Sequence, residues 1–251
     1  MKEILTCAMD VGERMVLSGA EVHRVEGAVE RMCLALGAHR VDVFIIITCM
    51  ITTVYDEQGN AYTQTRRITS TGTDIERLHL LNALSRRICK EKLSCEAIQT
   101  ELAQIDKCRA YPFWMELIAC ALIAGSFTLF FGGTWLESIA SFFVGAVVKL
   151  VLYLTERWLK NKFFTKFVST FVASTLAFLA VAVGITNDVD KIIIGNIMFL
   201  IPGIGFTNAL RDLFTGDNVA GLIRTIESVL MALAIAAGYF VCVCTIGGLW
   251  V

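Results

Sequence analysis

Hydrophobic positions follow two regimes along the chain. Up to residue 110 they recur at short spacing among charged residues; from Tyr111 onward they gather into long runs. In the first regime Ile4, Met9, Val16 and Leu17 give a ragged apolar face that Gly19 interrupts. Val22, Val25, Val29, Met32, Cys33 and Leu36 then recur at i, i+3, i+4, which predicts an amphipathic helix ending at Gly37. Its polar side, with Glu21, Arg24, Glu26, Glu30 and Arg31, reads as a solvated face.

Val41–Val54 is the most apolar part of this half, yet it is shorter than the roughly 20 residues a membrane helix needs. Its Ile, Val and Thr predict one or two buried strands instead. Asp56–Asn60 is a turn signal, and Ala61–Ile68 returns as a more polar strand, so a hairpin is expected. Thr73-Asp74-Ile75-Glu76 fits a capping box opening a helix through Leu78, Leu81, Leu84 and Ile88. Ser94 opens another through Ala97, Leu102 and Ile105. Residues 1–110 are thus expected to form an α+β domain, with Tyr111-Pro112 as the hinge to residues 111–251.

Five apolar runs follow. Phe113–Phe131, Trp135–Leu154 and Phe163–Ile185 each reach span length. Ile192–Phe206 is short and interrupted by Pro202-Gly203, and Val219–Ile246 is long with polar first turns. The expected fold is an α-helical polytopic membrane protein of five spans, the fourth broken at Pro-Gly, behind an N-terminal cytoplasmic α+β domain.

Ile192–Glu227 is the stretch where chemistry concentrates. A broken membrane helix leaves backbone N–H and C=O groups unpaired at depth, where they can hold a polar solute. After the break, Asn208, Arg211 and Asp212 share one helix face. Beyond the turn at Gly216-Asp217-Asn218, Arg224 and Glu227 stand one turn apart in an apolar helix, where charges are expected to face inward and pair. Asp217 or Asn218 is the expected N-cap of that last span. Arg224 could attract a carboxylate, while Asp212 or Glu227 binds an ammonium or exchanges a proton. The bland alternative is a salt bridge that only orients helices. Asn196, in mid-span, is either interhelical glue or a substrate contact. Asn196, Pro202, Gly203, Asn208, Arg211, Asp212, Arg224 and Glu227 make up the candidate substrate site. Glu116, Glu137, Lys149 and Lys166 lie near span ends and read as interfacial.

Basic residues orient the spans. Lys107 and Arg109 precede the first, and Gly132–Thr134 after it holds no base. Arg157, Lys160, Lys162 and Lys166 join the second and third. Thr186–Lys191 is mainly acidic, Arg211 and Arg224 flank the fourth loop, and Gly247–Val251 is uncharged. The N-terminus is therefore expected inside and the C-terminus outside.

Composition narrows the function. A content of 56% hydrophobic and 18% charged residues, with mean hydropathy +0.66, fits a membrane protein with a substantial soluble part. A net charge of −1 argues against a nucleic-acid partner. The nine cysteines form no CxxC pair, and His23, His39 and His79 are isolated, so neither a metal site nor a catalytic residue nor a cofactor is expected. Acidic residues at 3, 10 and 13 speak against a signal peptide. GxGxxG, Walker and GxSxG motifs are absent.

With these residues assembled, the chain resembles the threonine/serine exporter family in its split form. The likeness rests on Gly19-Ala20-Glu21-Val22-His23-Arg24-Val25-Glu26 and on Ile201-Pro202-Gly203, Thr207-Asn208-Ala209-Leu210-Arg211-Asp212, Gly216-Asp217, Ala220-Gly221, Arg224 and Glu227. It implies proton-driven export of threonine or serine across a bacterial inner membrane or, in some split members, of a dicarboxylate such as succinate. It also implies a second, smaller membrane subunit supplying the other transmembrane half. A membrane-anchored hydrolase using the N-terminal domain is the enzymatic rival; no nucleophile–base pairing in the sequence favours it.

Overall fold

The computed structural model describes residues 1–69, 72–108, 111–159, 161–186 and 188–246. Arg109, Lys160 and the tail Gly247–Val251, all used above to orient the chain, lie outside the described residues. The chain divides into two compact units. One comprises Met1–Arg109 with Ile204–Ile226, the other Ala110–Gly203 with Glu227–Val251.

In the first unit α1 (Lys2–Leu17) and α2 (Val22–Ala35) form the expected helical pair. Between them Gly19 takes φ +89°, and a Cβ there would stand 2.6 Å from the Gly72 carbonyl oxygen, so only glycine fits this turn. Three strands follow, β1 (Arg40–Ile46), β2 (Cys49–Tyr55) and β3 (Ala61–Arg67), paired antiparallel in the order β1-β2-β3. Val41–Val54 thus becomes two strands rather than a span, with Phe44 opposite Ile51 and Val54 opposite Tyr62. Asp56 holds the β2–β3 turn by accepting from the backbone of Gln58 and Asn60 at 3.0 and 2.8 Å.

Then come α3 (Ile75–Glu91) and α4 (Cys95–Lys107). Ser94 caps α4 as expected, its side chain accepting from Ala97 N–H. At α3 the cap is Asp74, which accepts from Arg77 N–H at 2.9 Å, one residue later than the box beginning at Thr73. Aspartate is the better N-cap of the two.

The helices bury their apolar stripes in one core, where Met9, Met15, Met32 and Met50 are among the largest fully enclosed side chains. Cys7 and Cys33 lie in the same core, and burial pushes both thiols up to about 12, leaving them protonated and inert at neutral pH.

The second unit contains α5 (Phe113–Phe130), α6 (Trp135–Leu159), α7 (Lys162–Ala182) and α8 (Val189–Met198). Helix α9 (Gly203–Thr215) begins at the boundary, and α10 (Asn218–Thr245) starts in the first unit and ends in the second. α5, α6, α7 and α10 are long and apolar enough to cross a membrane, and α8 with α9 adds a fifth span if taken as one broken element.

The break has a simple cause. Pro202 has no N–H to give the carbonyl of Met198, so the ladder ends there. The chain passes through Phe199–Pro202 on short-range bonds, Leu200 and Ile201 donating to the Ile197 carbonyl at 2.9 and 3.2 Å.

Small residues let α5 meet its neighbours closely. At Gly195 of α8 a Cβ would lie 2.7 Å from the Ala124 carbonyl oxygen, and at Gly145 of α6 one would lie 2.7 Å from Ala124 Cβ. Glu137 faces protein rather than solvent or lipid. It is buried at the start of α6, its carboxylate accepts from Thr134 N–H at 2.6 Å and Thr186 Oγ at 2.7 Å, and its own N–H donates to Thr134 Oγ at 3.3 Å. This is a reciprocal capping box at Thr134-x-x-Glu137. Lys149 and Glu116 pair at 2.7 Å.

Candidate functional site

The turn Gly19-Ala20-Glu21 and the helices after the break meet in the first unit. Gly19 and Ala20 lie between two helices, so their carbonyls are not used up in a helical ladder and point outward as acceptors. Asn208 Nδ2 donates to the Gly19 carbonyl at 3.3 Å. Arg224 Nη2 donates to the Ala20 carbonyl at 2.8 Å. Arg211 Nη1 donates to the Glu21 carboxylate, which stands at the N-cap position of α2.

Behind these contacts Arg224 Nη1 faces Asp212 Oδ2 at 3.1 Å. Both side chains are buried, and an ion pair taken out of water is tolerated only when the partners compensate each other. Helix geometry explains the arrangement on α9, where Asn208, Arg211 and Asp212 fall within about one turn. Asp217, just before α10, accepts from Gly221 N–H at 2.9 Å through its carbonyl. A Cβ at Gly221 would lie 2.9 Å from the Ala209 carbonyl oxygen, so this glycine permits close approach of α10 to α9.

Beside the turn is a hollow of about 170 Å³, bordered by Ser18, Glu21, Arg24, Thr73, Asn82 and Asn208 among others. It is smaller than the roughly 300–1,000 Å³ of drug-sized ligand sites, and would admit only a solute of a few heavy atoms. Its lining offers both signs of charge together with amide and hydroxyl groups.

Of the eight residues expected at the site, the structure brings four together: Asn208, Arg211, Asp212 and Arg224 all belong to the first unit. Pro202 and Gly203 form the break and lie at the edge of the second unit. Glu227, also in the second, is exposed. Arg224 therefore pairs with Asp212, not with the Glu227 that one-turn spacing suggested. Asn196 is fully buried in the second unit, donating to Ser141 Oγ and the Ile192 carbonyl at 2.9 Å each. It joins α8 to α6, and its Oδ1 has no hydrogen-bond partner among the described residues.

Sequence reasoning placed Glu21 on a solvated face; instead it is buried and pairs with Arg211. The carbonyls of Gly19 and Ala20 were not anticipated either. The usable signal was the Gly-Ala-Glu turn itself, since a glycine forced to positive φ between two helices marks a fixed backbone. Glu26, also on that supposed solvated face, is half-buried and accepts from Ile45 N–H at 2.8 Å. Burial raises its carboxyl above the usual range, against the pull of that hydrogen bond. Among the described residues no group of three or more His, Cys, Asp or Glu is arranged to hold a metal ion.

Comparison with known proteins adds a lineage. The family described as "Putative threonine/serine exporter" matches residues 6–246. A protein named "Probable succinate transporter subunit" from Escherichia coli K12 is 23% identical, over 100% of this chain and 98% of its own length. One of the same name from Klebsiella aerogenes is 25% identical over 88% of this chain and 85% of its own. The "Threonine/serine exporter" of Corynebacterium glutamicum is 23% identical over 94% of this chain, which spans 50% of that protein. No solved structure matches.

Proposed function

Because the chain belongs to the threonine/serine exporter family, we propose that it is one subunit of a proton-driven exporter of small polar metabolites, threonine or serine first among them. Residues 1–110 form its cytoplasmic domain and 111–251 a five-span membrane domain of a bacterial inner membrane, with the C-terminus outside. A second, smaller membrane subunit completes the path, and the chain acts as a transporter rather than an enzyme.

The observation that supports this most is the buried pair Arg224–Asp212, latched by the carbonyl of Ala20. An amino-acid zwitterion presents a carboxylate and an ammonium a few ångströms apart. Such a solute can replace the internal partners, its carboxylate taking the guanidinium of Arg224 and its ammonium the carboxylate of Asp212. Each buried charge then exchanges one compensating partner for another, so the cost of separating the pair is offset by the incoming solute. Asn208 and Arg211, held on the same turn, are the residues through which the N-terminal domain senses or gates that exchange. Asp212 or Glu227 gives and receives the coupling proton. Asn196, Pro202 and Gly203 belong to the path through the membrane, where an unpaired amide oxygen and a broken ladder offer polar contacts.

A dicarboxylate such as succinate is the second reading. It is favoured by the near-complete overlap with relatives named as succinate transporter subunits. Two carboxylates would then engage Arg224 and Arg211. Efflux of labelled serine, threonine and succinate from loaded vesicles, with and without the smaller subunit and with the proton gradient collapsed, tests both. Gradient-dependent efflux of one solute selects a reading; efflux of none, with both subunits present and folded, rejects transport.

A further inference from the structure

A larger hollow, of about 460 Å³, lies between α2 and α3 in the first unit. That is within the usual range of small-molecule sites. Arg24 and Arg31 reach it from α2, Arg86 and Lys90 from α3, and His23 adds a fifth basic group. None of its lining residues is acidic. Arg14, Arg40, Arg66, Arg77 and Arg87 elsewhere in the unit each pair with a carboxylate. The four permanent cations of this hollow have no ion-pair partner among the described residues.

Their placement works against folding. Arg86 and Lys90 stand one turn apart, an arrangement of like charges that weakens a helix. Gly27 sits between Arg24 and Arg31 in the middle of α2, where glycine favours the helix less than alanine would. A Cβ at Gly27 would come to 3.0 Å from Arg31 Nη1, so the glycine leaves room for that guanidinium to lie along the helix. Repulsion, a helix-weakening glycine and a concave shape converge on one place, and an anion bound there would relieve the repulsion.

We propose that this hollow binds a phosphate-bearing anion of at least two negative charges. Three guanidinium forks and an ammonium match several phosphate oxygens, whereas one carboxylate would leave most of them without a partner. The phosphate comes either from a soluble organic polyphosphate or from an anionic lipid headgroup. Arg24 and Asn82 also border the smaller hollow beside Asn208. An occupant that draws Arg24 toward itself removes a cation from the smaller hollow, which, on the transport reading above, would make the anion a regulator of export. Binding itself requires no transport activity.

The test is calorimetric titration of inorganic tripolyphosphate into the full chain held in neutral phosphatidylcholine vesicles, compared with R31Q/R86Q and with R31K/R86K. The expected result is saturable binding that weakens with added salt, falls at least tenfold in R31Q/R86Q and is partly kept in R31K/R86K. A second arm records native mass spectra of the same chains after exposure to anionic phospholipid, and adducts lost in R31Q/R86Q identify the headgroup as the source. Both arginines are exposed and removing Arg86 relieves its repulsion with Lys90, so the double variant is expected to unfold at or slightly above the temperature of the parent. Binding in either arm that depends on these arginines supports the site. Absence of binding in both, or equal binding by R31Q/R86Q, overturns it.

Discussion

Arg224 Nη1 stands 3.1 Å from Asp212 Oδ2, with the arginine side chain 10% exposed and the aspartate 1%. Breaking such a pair from one side strands the remaining charge in the interior, at a cost of about 3–5 kcal/mol. Arg224→Ala should therefore lower the thermal stability of the first unit sharply, and Asp212→Asn less, because the amide still offers an acceptor. Both variants should still reach the membrane and lose export; wild-type efflux in either would remove the pair from the transport site. Replacing both partners with apolar residues should recover most of the stability and none of the export. That outcome separates a transport role from a merely structural one.

Arg211 and Glu21 make the contrasting case. The arginine side chain is 62% exposed, so the pair is worth about 0–1 kcal/mol. Glu21→Gln should leave the melting temperature nearly unchanged, while the rate of export changes if the turn gates it. The charge exchange E21R/R211E should restore the rate that either single change disturbs; equal stability and equal rate in all variants would assign the contact to the surface alone.

Glu227 is the outlying member of the proposed site. Exposed and unpaired with Arg224, it should tolerate Glu227→Gln without loss of stability. Loss of proton-coupled efflux in that variant, with binding of solute retained, would identify it as the proton carrier. Unaltered coupling would leave Asp212 as the sole candidate.

Two carboxylates of the first unit should oppose each other as pH changes. Asp56 is held below the usual range, chiefly by the Asn60 side-chain amide, so its contribution is present above the unfolded aspartate value and lost as pH falls through the folded one. Burial raises Glu26, so its folded form prefers the proton, and stability is lost as pH rises from the unfolded glutamate value through the folded one. Glu26→Gln should flatten the decline on the rising side and leave the acid limb intact; denaturant unfolding across pH reads both.

In the second unit, Gly195→Val should be severely disruptive. The added carbon atoms would be driven into the Ala124 carbonyl, which is backbone and cannot swing aside. Asn196→Ala should cost less, since a hydrogen bond between membrane helices averages about 0.6 kcal/mol. A double-mutant cycle with Ser141→Ala measures that coupling directly.

Much of the fold could be read from local signals. The Gly19 break, the strands within Val41–Tyr55, the Ser94 cap and the interruption at Pro202 each follow from a few neighbouring residues and a short-range rule. Where the reading went astray, the deciding partner was distant in sequence. Glu21 reads as solvated because the charges near it, such as Arg24, fit an exposed helix face; its partner, Arg211, is 190 residues away. Arg224 was matched to Glu227 by helical spacing, but Asp212 on another helix competes at shorter range. Position alone gives Glu137 no partner, although Thr134, three residues earlier, is a legible sign of its cap. The basic hollow between α2 and α3 could not be seen at all, because each helix shows only half of it.

Helix α10 runs as one piece from Asn218 to Thr245, and Arg224 and Glu227 lie three positions apart within it. At 3.6 residues per turn their side chains point about 60° apart around a shared axis. They behave like two cams on one shaft: a rotation that slips the guanidinium off Asp212 re-aims the glutamate by the same angle. On the transport reading proposed above, release of an internal counter-ion and re-aiming of the Glu227 carboxylate would then be a single mechanical event, timed by the stiffness of a helix rather than by a chain of separate contacts.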